Sequence, residues 1–279
     1  MNALRQAVDR AEQTLAAAGV PSPRHDAEEL AARSLGVERR DLWRFADVGT
    51  GFADAVDRRA AREPLQHITG RAAFRHLEVL VGPGVFVPRP ETEVVAGAAV
   101  QAAREAGPEA VVVDLCTGSG AIALAVAQEV PEARVHAVES EPAALAWAGR
   151  NLAGSTVRLH AGDMATAAAE LDGAVDVVVA NPPYVPDGAE VRDPEVASYD
   201  PAAALWAGQD GLDAIRVVEL VAARLLRTGG VVVVEHADRQ GVDAPEQFHV
   251  TGRWVDVADH RDLTDRPRYL TARRAVRVR

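Results

Sequence analysis

The sequence predicts an α/β fold, a doubly wound and mostly parallel sheet, with a small helical domain in front of it. Three observations carry that prediction. From residue 110 onward, valine-rich runs alternate with helical stretches, the pattern of a parallel sheet covered on both faces. Before residue 75 the periodicity is helical only. Between the two, "FRHLEVLVGPGVFVP" reads as two strands around a Gly82-Pro83-Gly84 turn, a hairpin joining the regions. The expected boundaries are a helical domain over residues 1–73, a hairpin linker over 74–90 and an α/β domain over 91–279.

Within the helical region, Leu4, Val8, Ala11 and Leu15 line one face of a first helix, and "SPRHDAEELAARSLG" forms a second that stops at Gly36. "ERRDLWRF" and "GFADAVDRRAARE" predict two shorter helices. In the α/β region the expected strands are "AVVVDL", "RVHAVES", "TVRLHAG", "VDVVVA" and "GVVVVEHA". Helices are expected over "GAIALAVAQEV", "PAALAWAGRNL", "MATAAAEL" and "LDAIRVVELVAARLLRTG". Two further strands, "GRWVDVADH" and "RPRYLTARRAV", close the chain. The segment "RQGVDAPEQFHV" before them is short, and its Pro245 argues against a full helix.

Composition narrows the class. Hydrophobic residues make up 48% and charged residues 25%, the balance of a soluble globular chain rather than a disordered one. No apolar run approaches the roughly 18 residues of a membrane span, so no membrane partner is expected. Asp9 and Glu12 within the first helix argue against a signal peptide. Cys116 is the only cysteine, so an internal disulfide is impossible and a cytoplasmic location is expected. All 30 cationic residues are arginine, and the formal charge is −11. That acidity disfavours broad contact with nucleic acid, which needs phosphate-neutralising charge.

In a sheet of this kind ligands bind beyond the carboxyl ends of the strands. The first strand runs into "DLCTGSGAIALA". There Thr117, Gly118, Ser119 and Gly120 form a loop that opens a helix, so the backbone can approach a ligand and offer it free N–H groups. Cys116 occupies the first position of a would-be G-x-G-x-x-G and no third glycine follows, which disfavours a dinucleotide. An ordinary strand-to-helix turn is the alternative. The second strand ends on Glu139, about 25 residues beyond Asp114, near the spacing at which an acid meets ribose hydroxyls. A solvated glutamate is the alternative there. At the third strand end, Asp163 in "HAGDM" suits an adenine amino group or caps the following helix. Together the three strand ends point to a nucleoside cofactor without a pyrophosphate, a description that S-adenosylmethionine satisfies.

The fourth strand delivers Asn181, Pro182, Pro183 and Tyr184 to the same edge. Two prolines stiffen the turn and remove N–H donors, so its carbonyls stay available. The Asn181 side-chain oxygen and the Pro182 carbonyl can accept both N–H groups of a planar amine or amide, with Tyr184 covering its flat face. Holding a poor nucleophile against a methyl donor is catalysis by positioning, and the two carbonyl dipoles favour the positive charge that builds on nitrogen. A plain proline stop after a strand is the alternative.

Asn-Pro-Pro-Tyr after a fourth strand resembles the motif of methyltransferases acting on planar nitrogen, either adenine amines of nucleic acids or glutamine amides of proteins. "REPLQHITGRAAFRHLEVLVGPGVFVPRPETE", "VDLCTGSGAIALA", "NPPYVP", "DPAAALWAGQDGLDAIRVV" and "DHRDLTDRPRYLTAR" then resemble the release-factor glutamine methyltransferases over nearly the whole chain, least over the first 60 residues. The resemblance implies a seven-stranded class I methyltransferase sheet with a helical substrate-recognition domain. It implies an enzyme that uses S-adenosylmethionine to methylate the glutamine of the Gly-Gly-Gln motif in peptide chain release factors, its protein partners; a monomer is expected. Phe86, Thr117, Gly118, Ser119, Gly120, Glu139, Asp163, Met164 and Asn181 would lie along the cofactor, with Phe86 near its sulfonium. Asn181, Pro182, Pro183 and Tyr184 would hold the glutamine, with Asn181, Pro182 and Tyr184 catalytic. No metal is implied. Arg89 and Glu91 to Glu93 would order the loop behind Phe86, and Pro90 suits the first turn of the next helix. A core phenylalanine beside a surface ion-pair cluster is the alternative for that stretch.

Three positions depart from the family pattern. Cys116 stands where many members have glycine, so the backbone there must tolerate a Cβ, and no ligand contact is expected from its side chain. Glu139 replaces an aspartate, which keeps the carboxylate and lengthens its reach. Met164 replaces an aromatic, which alters the packing expected for adenine. Two rival functions stand beside the family reading. An adenine exocyclic-amine methyltransferase acting on nucleic acid would need a basic, aromatic recognition surface, whereas the first 75 residues mix arginines with many acids. A non-catalytic module on the same fold should have lost a cofactor or substrate residue. His236 and Gln240 in "EHADRQ" receive no role, and His236 is expected to be a satisfied strand-end histidine rather than a base.

Overall fold

The structure, a computed structural model, describes residues 3–276. The outermost ends of the expected domains, residues 1–2 and 277–279, lie outside the described residues. The chain forms two compact units. One holds the chain up to Arg71 together with Val81–Pro83 and Val191–Asp200, and the other holds Ala72–Leu80, Gly84–Glu190 and the chain from Pro201 on. Nothing in the sequence pattern marks residues 191–200 as part of the first unit.

The first unit is helical: α1 (Ala3–Ala17), α2 (Pro23–Leu35), a 3-10 turn at Arg39–Arg44, α3 (Phe52–Ala60) and α4 (Leu65–Thr69), with a later helix, α8 (Pro194–Tyr199). The stripe Leu4, Val8, Ala11 and Leu15 is buried, as the spacing predicts, against Leu30, Phe52 and Val56. Pro23 opens α2, and Gly36 closes it in the left-handed conformation at φ 67°. "ERRDLWRF" forms only the 3-10 turn, and α4 is an addition to the expected helices. A buried ion cluster ties the unit together. The Arg59 guanidinium donates to Asp26 Oδ2 at 2.7 Å and to Glu195 Oε1 at 2.8 Å, and Arg62 donates to the same Glu195 oxygen at 2.9 Å. Glu195 thereby fixes α8 to α2 and α3.

A hairpin of β1 (Arg71–Phe74) and β2 (Leu77–Leu80) follows. Its turn is at Arg75 and His76, not at Gly82-Pro83-Gly84 as expected. Arg75 takes the positive φ of 53° that the turn requires, held by two hydrogen bonds to the Glu129 carboxylate and one to the Glu93 carbonyl.

The main sheet is built from β3 (Val111–Leu115), β4 (Arg134–Glu139), β5 (Arg158–Ala161), β6 (Val175–Ala180), β7 (Leu226–Glu235), β8 (Trp254–Arg261) and β9 (Pro267–Arg274), in the order β5-β4-β3-β6-β7-β9-β8. The first five strands are parallel, and β9 runs antiparallel to β7 and β8. This is the doubly wound, mostly parallel, seven-stranded sheet that the sequence predicts. Helices α5 (Thr92–Ala106), α6 (Ala121–Glu129) and α7 (Pro142–Asn151) pack in series against it. Helices α9 (Asp213–Leu225) and α10 (Asp243–His249) pack together over β6 to β8. Every residue of β3 is buried, and Val111, Val113 and Leu115 enter one cluster with Ile215, Val218 and Phe248. Burial on both faces is why these strands are continuous valine runs rather than alternating ones.

Three expected elements differ. The stretch 164–171 forms no α-helix, only a 3-10 turn at Ala169–Leu171, because Asp163 Oδ1 takes the Ala165 N–H and Ala168 turns left-handed at φ 54°. Helix α9 ends at Leu225, four residues early, because Leu226 already pairs with Val175 in the sheet. The segment around Pro245 does form a helix, α10, since the proline falls at its third position, where a missing N–H breaks no hydrogen bond.

Candidate active site

The chain order β3, β4, β5 builds the sheet outward in one direction, and β6, β7 build it in the other. Between β3 and β6 the direction reverses, so their carboxyl ends open a crevice. Register aligns the strand ends: Leu115 pairs with both Val138 and Ala180, Glu139 with Ala161, and Ala180 with Val234. The residues that follow each strand therefore emerge at one level. A cavity of about 310 Å³ lies there within the second unit, lined by Phe86, Thr117, Gly118, Ser119, Glu139, Asp163, Met164, Asn181, Pro183 and Tyr184, among others. Gly120 and Pro182 are not in the lining. Gly120, at φ 85°, caps α6 with Leu152 behind it, and Pro182 is buried.

The glycine loop is fixed from below. Asp114, fully buried, accepts from Thr117 Oγ1 at 2.5 Å and from Ala123 N at 3.1 Å, while its Oδ1 has no partner. Burial pushes its carboxyl up to about 7. Asn151 of α7 clamps the loop to the hairpin, donating to the Ser119 carbonyl at 2.8 Å and to the Leu80 carbonyl at 2.9 Å. Glu139 is buried at 7% exposure, and its carboxylate accepts three backbone N–H groups, Gly118 on one oxygen and Ser140 and Glu141 on the other. Two carboxylate oxygens offer about four acceptor sites, so roughly one stays free for a ligand hydroxyl. Asp163 is exposed and shapes the turn after β5 as well as lining the cavity.

Cys116, expected to stay clear of any ligand, also lines the cavity. It holds a left-handed φ of 57° and places Sγ 3.5 Å from Met164 Sδ. Burial, with the Glu139 and Asp114 carboxylates nearby, pushes its thiol far up, so it stays protonated. Phe86 also lines the cavity, with the Arg89 guanidinium over its ring, 5.0 Å from the centroid. Pro90 precedes α5 rather than entering its first turn.

The Asn-Pro-Pro-Tyr turn is held by residues the sequence pattern did not single out. Asn181 Nδ2 donates to Thr92 Oγ1 at 3.3 Å, and Tyr184 OH donates to Glu235 Oε1 at 3.3 Å. Among the described residues nothing donates to Asn181 Oδ1 or to the Pro182 carbonyl. Gln240, left without a role by the sequence, supports the turn. Its Nε2 donates to the Tyr184 carbonyl at 3.3 Å and to the Gly211 carbonyl at 3.1 Å, and its Oε1 accepts from Ala237 N. Gly211 must be glycine, since its φ is 74° and a Cβ there would sit 2.5 Å from the Tyr184 carbonyl. His236 is buried outside the cavity lining. Its Nδ1 lies 2.9 Å from the Ala237 carbonyl, and its Nε2 lies 3.0 Å from Asp259 Oδ1 but outside hydrogen-bonding geometry. Burial lowers its basicity. Among the described residues no group of three or more His, Cys, Asp or Glu side chains could hold a metal ion, and no helix is long and apolar enough to cross a membrane.

The chain matches the family model described as Methyltransferase small domain over residues 77–197, most of them in the second unit, and the PrmC N-terminal domain over residues 6–70, in the first. Sheet order, the crevice at its reversal and this match make the chain a methyltransferase. A release factor glutamine methyltransferase of Streptomyces coelicolor is 58% identical over 99% of this chain and 100% of that protein. A protein of Streptomyces pristinaespiralis, named 4-amino-L-phenylalanine/4-methylamino-L-phenylalanine methyltransferase, is 44% identical over 94% of this chain and 92% of its own length. The solved structure of a Thermus thermophilus 16S rRNA N2 G1207 methyltransferase, in complex with AdoMet and guanosine, shares the fold at TM-score 0.50 and 22% identity, covering 73% of this chain and 49% of that one. The chain belongs to the family of release factor glutamine methyltransferases.

Proposed function

We propose that the protein transfers a methyl group from S-adenosylmethionine to the side-chain amide nitrogen of the glutamine in the Gly-Gly-Gln motif of peptide chain release factors. One observation carries the reading. A rigid turn at the cavity carries two acceptors that no protein donor uses, Oδ1 of the cavity-lining Asn181 and the carbonyl of the adjacent, buried Pro182. Two fixed acceptors suit a planar nitrogen bearing two hydrogens.

The lining fits the cofactor. Glu139 keeps an acceptor site for a ribose hydroxyl, Asp163 is exposed for an amino group, and Phe86, Cys116 and Met164 offer apolar or sulfur surface. When bound, S-adenosylmethionine supplies an electrophilic methyl group on a sulfonium. The chain's own residues orient the nucleophile. Accepting both N–H groups aims the nitrogen lone pair, and the same two oxygens stabilise positive charge as it grows on nitrogen. Asn181 has no useful proton affinity, so it orients and does not act as a base. Tyr184 stays neutral, because burial and the neighbouring Glu235 push its hydroxyl up.

On this reading the enzyme works in the cytoplasm, as a monomer, on a protein rather than on nucleic acid. The helical unit grips the release factor away from the reacting glutamine. Transfer of labelled methyl from the cofactor tests it, with a release factor, the same factor carrying alanine in place of the motif glutamine, DNA, RNA and 4-amino-phenylalanine in parallel. Label on the unaltered release factor alone is expected. Label on nucleic acid or on the free amino acid in preference would overturn the reading.

A further inference from the structure

Gln240 is not part of the cavity lining, yet it grips the turn that carries the substrate acceptors. It closes the 3-10 turn Asp238–Gln240 beyond the carboxyl end of β7 and is 3% exposed. Its amide has one orientation. Only Oε1 can accept the Ala237 N–H at 2.9 Å, and only Nε2 can donate to the carbonyls of Tyr184 at 3.3 Å and Gly211 at 3.1 Å. The Tyr184 carbonyl shares a peptide plane with the Val185 N–H, which donates to the Leu205 carbonyl at 2.8 Å. That plane is therefore pinned at both edges, by a side chain that follows β7 and by the backbone of the segment before α9. Upstream, the rings of Pro182 and Pro183 fix φ, and Pro183 restricts Pro182 further. The chain between the end of β6 and Val185 thus has stiff prolines in its middle and a doubly held plane at its far end, which leaves Asn181 and the Pro182 carbonyl little room to turn.

We propose that Gln240 is a positioning residue for the transfer reaction: by holding the peptide plane between Tyr184 and Val185, it fixes the Asn-Pro-Pro-Tyr turn so that Asn181 Oδ1 and the Pro182 carbonyl meet both hydrogens of the substrate nitrogen. The proposal rests on the reading of those two oxygens as the acceptors of the substrate amide. Among the described residues no other donor reaches the Tyr184 carbonyl, so the carbonyl edge of the plane depends on Nε2 alone. None of the Gln240 side-chain hydrogen bonds goes to the cofactor side of the cavity at residues 117–119, 139 and 163. Loss of the clamp therefore slows the transfer and leaves cofactor binding in place.

The test compares Gln240→Glu and Gln240→Met with the parent enzyme. Glutamate keeps the shape and the acceptor for the Ala237 N–H, but when ionised it sets an oxygen against the two carbonyls. Methionine fills the space and donates nothing. Phe248→Leu, in the apolar core and outside the cavity lining, is the control for lost stability. For each protein kcat on the release factor, affinity for S-adenosylhomocysteine (the demethylated cofactor) and the melting midpoint are read. Both Gln240 variants should lose about 10- to 100-fold in kcat, the cost of a misplaced reacting group. Their product affinity should stay within about twofold of the parent's, since the cofactor contacts lie elsewhere. Phe248→Leu should melt earlier and keep its kcat. Hydrogen exchange of the Val185 amide, followed by NMR, needs no methyl acceptor and should run at least about tenfold faster in both Gln240 variants. It separates failure of this proposal from failure of the substrate assignment, which a parent enzyme inactive on the release factor would report. Parental kcat in either Gln240 variant overturns the proposal, and so does unchanged Val185 exchange. A kcat loss matched by an equal loss of product affinity, or by the Phe248→Leu control, overturns it too.

Discussion

Glu139→Gln is the sharpest probe of the cofactor side of the cavity, because the geometry leaves the new amide no good orientation. One Glu139 oxygen takes Gly118 N–H at 2.8 Å, and the other takes Ser140 and Glu141 N–H at 2.8 and 2.9 Å. Glutamine has a single acceptor oxygen. Facing that oxygen toward Ser140 and Glu141 costs less, but it sets the NH₂ group against the Gly118 N–H. Losing one charge-assisted hydrogen bond costs about 1.5–3 kcal/mol. At about 1.4 kcal/mol per decade, an affinity that depends on the Gly118 loop falls about 10- to 100-fold. Titration calorimetry with S-adenosylhomocysteine reads the affinity, and thermal unfolding reads the fold. A Glu139→Gln protein that binds within twofold of the parent, with the same melting midpoint, would refute the reasoning.

Four further outcomes follow from the same geometry. Asn181→Ala should lower kcat by about 10²–10³, the cost of one preorganised polar contact, with cofactor affinity little changed; unimpaired turnover would make the turn merely structural. Gly211→Ala puts a Cβ 2.5 Å from the Tyr184 carbonyl at a φ of 74°, and should lower both activity and melting temperature, since something in the turn must move. Glu195→Ala should destabilise the helical unit by on the order of 3 kcal/mol, because it leaves the buried Arg59 undercompensated; an unchanged urea midpoint would remove the cluster from the account. The last concerns pH. The Glu235 carboxyl sits at about 7 when folded, above its ordinary 4.5, so the stability it contributes is complete below about 4.5 and is lost as pH rises through 7. Glu235→Gln removes that loss and should gain on the parent between pH 5 and pH 8, by on the order of 3 kcal/mol in ideal linkage. Melts that show a pH-independent difference would contradict it.

Much of this arrangement was legible because strand ends are read in order. Valine runs locate β3, β4, β6 and β7, and the parallel topology then brings residues 117–119, 139, 163 and 181–184 to one edge without any knowledge of their contacts. The supporting residues were not legible. Thr92, Asn151, Gly211 and Glu235 act through backbone and side-chain partners 29 to 89 positions away, and no local pattern marks such pairs. A glutamate at the end of a valine strand looks like a solvated boundary, whereas Glu235 is among the most buried side chains. The hairpin turn was misplaced for a related reason. Gly82-Pro83-Gly84 is the stronger turn signal in isolation, but the Glu129 carboxylate, 54 positions away, stabilises Arg75 in a conformation that arginine rarely takes.

The ion cluster of the helical unit bears on how the chain can be made and divided. Arg59 and Arg62 share a carboxylate that belongs to residue 195, so the unit is completed by a piece of chain that follows the methyltransferase strands β3 to β6. At roughly 5–20 residues per second, synthesis of the stretch from Arg71 to Val191 takes on the order of ten seconds. For that interval the newborn helices hold two neighbouring guanidinium groups with Asp26 as the counter-charge at hand. The same threading denies the unit a clean excision point. A cut at the hairpin carries Arg59 and Arg62 away on one fragment and strands Glu195, with its capping residue Asp193, on the other.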